Sequence, residues 1–215
     1  CRVRSMALSP SLPPSPAARP QTASWRFWLR ALTVAAVYGA CIFVLGRTEY
    51  GWFATVLSLL SLAFGASLGM AAFGRPGIAG AIALTSIGVL IALSQLKFDV
   101  TQLTLTFLDF LLIDRDTFSF LVTTHPYLRW RIVAALVLAI PLVWIIVRLD
   151  PFRIRRRVAL ACAGLSLLGM VGLSVWNPEQ PWEPFQGVNH ISNLSRSGVA
   201  AMSHLAAHGW MEAEP

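Results

Sequence analysis

Charge is scarce in this chain. Only 13% of its 215 residues are Asp, Glu, Lys or Arg, against about 25% in ordinary soluble domains. Acids are the scarcer sign, 10 against 17 Lys and Arg, which leaves a net charge of +7. Cysteine is limited to Cys1, Cys41 and Cys162. With no C-x-x-C pair and no Cys/His spacing, a zinc site of the usual kind is not signalled. Cys41 and Cys162 stand inside apolar runs, where a thiol behaves as a small hydrophobe. The chain also lacks a phosphate loop, a nucleophile elbow, a dinucleotide fingerprint and the H-E-x-x-H zinc pattern. These absences exclude the common soluble enzyme classes as a reading of the residues.

Apolar sequence is what the chain has in quantity, 56% of it, gathered in long runs. The first expected span is Trp25 to Leu45, with Trp25, Phe27 and Trp28 as an aromatic collar and Arg26 and Arg30 placed to snorkel. The second, Trp52 to Phe73, carries no charge. A tight turn, Gly74-Arg75-Pro76-Gly77, leads to the third, Ile78 to Leu96. The fourth, Ile132 to Val147, holds Pro141 and is expected to kink there. The fifth is Val158 to Trp176. The first three are each near the length that crosses a bilayer. The expected fold is therefore an all-α membrane bundle of about five transmembrane helices, spanning residues 25–176.

Three segments fall outside these spans. Residues 1–24 are rich in Pro, Ser, Ala and Arg, hold too little apolar surface to offset ordering entropy, and are expected to be a disordered cytoplasmic N-terminus. Residues 97–130 hold two apolar stretches too short to span, 104–113 and 118–122, split by Asp114-Arg115-Asp116. They are expected to form short interfacial helices, with Thr106 and Asp116 as N-caps. Residues 177–215 start with Pro178, Pro181 and Pro184, which favour an extended path. An amphipathic helix then follows, its apolar face drawn by Ile191, Leu194, Val199, Met202 and Leu205 and its polar face by Ser195, Arg196, Ser203 and His204.

Sidedness follows from arginine. The loop 148–157 holds Arg148, Arg153, Arg155, Arg156 and Arg157 and is expected in the cytoplasm. Arg26 and Arg30 place the N-terminus there too, and five spans reconcile the two. The 97–130 segment and the C-terminal tail are then external. Arginines that flank apolar runs set orientation, so a nucleic-acid partner is not indicated; the lipid bilayer is.

Several residues invite a functional reading. Lys97, Asp109, Arg115 and His125 belong to a polar patch in the external segment, suited to an anionic lipid head group or an attached domain. Asp109 interrupts an apolar run, where a carboxylate is either functional or simply interfacial. Gly65 and Gly69 form a G-x-x-x-G pattern expected to pack against another helix. His204 and His208 are spaced as metal ligands can be, but no third ligand is evident, and a solvated helix face explains them as well. Asn193-Leu194-Ser195 matches the glycosylation acceptor, a frequent chance match. No catalytic and no metal residue is assigned.

Two stretches carry a family likeness: Leu96-Lys97-Phe98 through Leu105 and Asp109 to His125-Pro126, and Asn189-His190-Ile191-Ser192-Asn193-Leu194-Ser195-Arg196-Ser197-Gly198-Val199. With five spans and an exported tail, residues 30–215 resemble the N-terminal membrane part of bacterial sulfatase-like phosphotransferases. That group includes lipoteichoic acid synthases and the phosphoglycerol transferases of periplasmic glucans. The resemblance implies an anchor in the bacterial cytoplasmic membrane for a sulfatase-like transferase or hydrolase acting on lipid-linked phosphoglycerol-type groups. It places the divalent metal and the nucleophilic hydroxyl in an extracytoplasmic catalytic domain beyond this sequence, so these 215 residues alone are expected to be inactive. The alternative is a non-enzymatic polytopic membrane subunit or scaffold.

Overall fold

The computed structural model describes residues 25–112, 152–177 and 183–208, with Trp130, Val133, Val137, Ile140, Val143, Trp144, Ile146, Val147, Arg148 and Asp150 between the first two blocks. Among the described residues the continuous α-helices are, in chain order, α1 Trp25–Thr48, α2 Trp52–Phe73, α3 Pro76–Thr101, α4 Phe107–Leu112, α5 Arg156–Trp176 and α6 His190–His208, with a 3-10 turn at Glu183–Gln186 before α6. No strand occurs among the described residues.

Four of these helices, α1, α2, α3 and α5, are long and apolar enough to cross a membrane. At 1.5 Å per residue, 21 to 26 residues give about 31–39 Å, the thickness of a hydrocarbon core. Their outward surfaces are as apolar as their packed ones. Leu32, Phe43, Leu165, Leu168 and Val175 are all exposed by two thirds or more. Water would penalise such a surface heavily; lipid does not. The chain is thus an all-α membrane protein. The described residues of the fourth expected span, such as Val133, Val137, Val143 and Ile146, are helical. The rest of Ile132–Val147, Pro141 included, lies outside the described residues, as do residues 1–24 and 113–129.

Helix boundaries follow local chemistry. Gly74 ends α2 in the left-handed region at φ 70°, its N–H bonded to the Met70 carbonyl, and Pro76 opens α3 at its first turn. The third helix outruns its expected end at Leu96. It continues to Thr101 and closes on Gln102 at φ 57°, whose N–H bonds to Phe98 O. Lys97 and Asp99 therefore ride on the end of a spanning helix rather than on a separate interfacial piece. Likewise α1 reaches Thr48, three residues past Leu45.

Packing centres on Cys41 and Leu45 of α1, Leu62 and Ala66 of α2, Ala83, Ile87 and Ile91 of α3, and Ile191 of α6. Against α2, α5 presents a face of mostly small residues, Ala159, Ala163, Ser166, Met170 and Ser174. Small residues let membrane helices approach closely, which replaces the hydrophobic drive lost in lipid. The two glycines of the G-x-x-x-G pattern differ. A Cβ on Gly69 would lie 3.0 Å from Ala79 Cβ on α3, whereas one on Gly65 would meet nothing within 4 Å. Only Gly69 marks a close crossing.

At the end of the bundle that carries the α2–α3 turn, the 147–154 loop is tied down. Asp150 Oδ2 accepts from Gly77 N at 2.7 Å in the first turn of α3. Ile154 N donates to Gly74 O at 3.0 Å, and Arg75 Nη1 donates to Val147 O at 3.3 Å. Tyr38 Oη reaches Pro76 O at 3.0 Å.

The glycine pair gives a direct test of the packing. Gly69→Val is expected to lower the thermal midpoint in detergent, equivalent to about 1–3 kcal/mol of overpacking. Gly65→Val should leave it within error of wild type. Equal effects at the two positions would contradict the crossing described.

Candidate functional site: the polar seam that docks helix α6

The opposite end of the bundle carries the α1–α2 turn, the 102–106 loop, α4 and α6. Here the chain must solve a problem set by its own composition. Helix α6 begins beside apolar helices, and its first backbone N–H groups lie away from water. Glu49, just past the end of α1, supplies the acceptors. Its Oε1 takes Ile191 N at 2.8 Å. Its Oε2 takes Ser192 Oγ at 2.6 Å and Ser192 N at 3.4 Å. The carboxylate is only 4% exposed. Asn189, at φ 61°, completes the joint: its N–H donates to Thr48 O at 3.1 Å, and its Oδ1 accepts from Tyr50 N at 2.6 Å.

Further along α6, each turn adds a polar link to a different element. His190 Nδ1 and Ser94 Oγ of α3 share a hydrogen bond at 2.8 Å, and Ser94 Oγ also accepts from Leu105 N at 3.0 Å. Asn193 Nδ2 donates to Thr104 Oγ1 and to Val188 O, both at 3.4 Å. Ser195 and Ser61 of α2 share a bond at 2.6 Å. Ser197 Oγ accepts from Phe107 N, the start of α4, at 3.0 Å. Arg196 is 4% exposed, pairs through Nη1 with Glu183, and lies 4.6 Å above the Phe53 ring. Its Nε has no hydrogen-bond partner among the described residues.

The segment entering α6 is shaped to fit. Gly187 has φ +66°, and a Cβ there would come within 2.7 Å of the Phe98 ring. Only glycine satisfies both the backbone and the ring. Pro184 sits in the 3-10 turn instead of on an extended path.

Of the residues singled out by sequence, Lys97 and Asp109 meet. Lys97 Nζ is 2.6 Å from Asp109 Oδ2 and donates also to Thr104 O at 3.2 Å. Asp109 further accepts from Thr106 N at 2.6 Å and Thr106 Oγ1 at 2.9 Å, so it closes the first turn of α4 back on its cap. Arg115 and His125 lie outside the described residues. On α6 the sequence-drawn faces are partly reversed: Arg196 is buried and Met202 is 58% exposed. Hydrophobic spacing misplaced Arg196 because its burial is against Glu183 and the Phe53 ring rather than in apolar contact alone. Glu49, Ser94 and Thr104 went unmarked by sequence. Glu49 did carry one signal: an acid between two apolar runs in an acid-poor chain.

The electrostatics follow from burial. Desolvation raises the Glu49 pKa above the ordinary glutamate value, against the opposing pull of the Ser192 and Ile191 donors. Burial pushes the His190 pKa down, so the ring is neutral. Burial also acts to raise Asp109, but the bonds from Lys97 and Thr106 outweigh it and hold the carboxyl below its usual range. Apart from Arg196 Nε, the seam is chemically a set of mutually occupied polar groups. It is suited to fixing α6 rather than to attacking a substrate. Among the described residues no three His, Cys, Asp or Glu side chains gather as a metal site, so no step through a metal is derived from them.

No family model, curated protein or solved structure matches the chain. Its reading rests on the residues themselves.

Glu49→Ala strips two backbone N–H groups of their acceptor and is expected to destabilise the protein by about 1–3 kcal/mol. The pH dependence has a defined sign. Because the folded protein holds the Glu49 proton more tightly than the unfolded chain, stability at this residue is greatest in acid. It falls as pH rises from the ordinary carboxylate range through the raised folded value. The gap in thermal midpoint between wild type and Glu49→Ala should therefore narrow as pH rises above the ordinary carboxylate range. A gap that widens would reverse the assignment.

Proposed function

We propose that this chain is the membrane part of a sulfatase-like transferase acting on lipid-linked phosphoglycerol-type groups, set in a bacterial cytoplasmic membrane. The observation that carries the reading is the docking of α6. The stretch Asn189–Val199, which bears the family likeness in sequence, is the stretch that Glu49, Ser61, Ser94, Thr104 and Phe107 bind. A tail held this firmly positions whatever follows it against the membrane surface. A simple tether has no need of five polar attachments to five different segments.

On this reading the N-terminus and the 148–157 loop face the cytoplasm, and α4 with α6 faces outward. The arginine distribution supports that orientation. The metal and the nucleophilic hydroxyl belong to an extracytoplasmic catalytic domain joined through α6. The membrane part then orients the lipid substrate, and Lys97 with Asp109 lies on the side where a head group would arrive. Ester transfer at phosphorus needs positive charge fixed on the reacting oxygens and an activated nucleophile, and no such pair is assigned among the described residues.

Topology is tested by reporter fusions. A fusion at Pro151 should report the cytoplasm and one at Pro184 the exterior; either result inverted sinks the orientation. Activity is tested in membranes carrying labelled phosphatidylglycerol. Deleting the gene should abolish transfer of its phosphoglycerol group to extracytoplasmic acceptors, and restoring the gene should return it. Transfer unchanged by the deletion would remove the proposal.

A further inference from the structure

The arginine-bearing end of the bundle holds charge that the described chain does not answer. Arg153, Arg155, Arg156 and Arg157 are all exposed. The ion pairs among the described residues are Lys97–Asp109 and Arg196–Glu183, neither of which involves them. The nearest acid in sequence, Asp150, is occupied: Oδ2 holds Gly77 N at 2.7 Å and Oδ1 holds Phe152 N at 3.1 Å. Four guanidinium groups in five residues thus stand at a membrane boundary without a carboxylate partner in the described chain.

An apolar groove accompanies them. Along α1, Trp25, Trp28, Leu29 and Leu32 line an open groove of about 570 Å³ whose walls are almost wholly apolar. It reaches to Ala35, so it extends about 15 Å along the helix, a good part of an acyl chain. The two features share one end of the bundle. The Phe27 ring, next to Trp28, meets the Phe152 ring, next to Arg153, edge-on at 5.7 Å. Arg148 lies there as well, 4.3 Å above the Trp144 ring.

We propose that this end binds an anionic phospholipid, with its phosphodiester on Arg153–Arg157 and an acyl chain in the α1 groove. Arginine pairs with phosphate through its planar fork, and a basic juxtamembrane cluster draws anionic lipid from the leaflet beside it. Charge selects the head group and the groove selects a chain-bearing ligand over a soluble anion. The site is independent of the transferase reading, since it lies at the opposite end from α6.

The experiment is native mass spectrometry of the purified full chain in neutral detergent. It is offered equal amounts of phosphatidylglycerol and phosphatidylcholine with the same acyl chains. Wild type is expected to retain phosphatidylglycerol by about tenfold over phosphatidylcholine, and equal retention overturns the proposal. Arg153→Gln with Arg155→Gln and Arg157→Gln should level the two lipids. Should that variant fail to fold, wild type in rising salt gives the same readout, since screening must erode the preference; a salt-independent preference overturns it. Inorganic phosphate at equal concentration should not displace the lipid, and displacement would assign the site to a soluble anion. Trp28→Ala with Leu32→Ala should weaken retention of long-chain but not short-chain phosphatidylglycerol. No change with chain length would strike out the groove.

Discussion

A helix that starts among apolar neighbours exposes its first N–H groups to nothing that can accept them, and each unmet group costs as much as a lost hydrogen bond. Glu49 removes that cost for α6. Its two oxygens take Ile191 N, Ser192 N and Ser192 Oγ, and the negative charge lies at the positive end of the helix dipole. Burial of the carboxylate and exposure of the N–H groups are each unfavourable alone. Together they cancel, and the joint can form only with α6 in one position. The rest of the seam depends on that register: one turn of slippage would separate Ser195 from Ser61 and Asn193 from Thr104 at once.

The opposite end of the bundle uses the same device. Asp150 serves the first turn of α3 through Gly77 N, and Arg75 serves the carbonyl of Val147. Both carboxylates come from a different part of the chain than the helix they cap, so each cap is also a tertiary contact. This arrangement suits a lipid-embedded protein. Apolar side chains gain little by leaving lipid for one another, so directional polar bonds near the helix ends carry the specificity of assembly. Elsewhere the helix contacts use small residues such as Ala79, Ala159 and Ala163, each almost fully buried, beside the apolar cluster of Leu45, Leu62, Ile87 and Ile91.

Sequence made the spanning helices legible because the signal is bulk. Long apolar runs, punctuated by Gly74, Arg75 and Pro76, fix where α2 stops and α3 starts, and the helices fall within a few residues of expectation. Helix ends were less legible. The third helix runs through Lys97 and Asp99 to Thr101 because Lys97 finds Asp109 and Thr104 O across the following loop, a tertiary fact that no local window contains. The seam was least legible. Ser94, Thr104 and Ser61 look like ordinary small polar residues in membrane helices, and their value appears only when α6 arrives beside them. Hydrophobic periodicity misassigned Arg196 for the same reason. It assumes that burial means apolar contact, whereas this guanidinium is buried on Phe53 and Glu183.

Burial without full satisfaction makes Arg196 the costly member of the seam. Its Nε lacks a hydrogen-bond partner among the described residues while the residue is 4% exposed, and a desolvated cation is expensive unless paired. Glu183 offsets the charge and the Phe53 ring offers its negative face. Both partners lie outside α6, on the entering segment and on α2, so all three elements must be in place before the arginine is tolerated in the interior. Until then it belongs in water. That asymmetry makes docking of α6 cooperative: a half-inserted helix would leave Arg196 buried and unpaired, or Glu49 buried without its donors. The seam therefore favours a fully docked α6 or a fully released one, with little stability in between. Such a joint fixes the direction of α6 against the bundle, as a flexible linker does not.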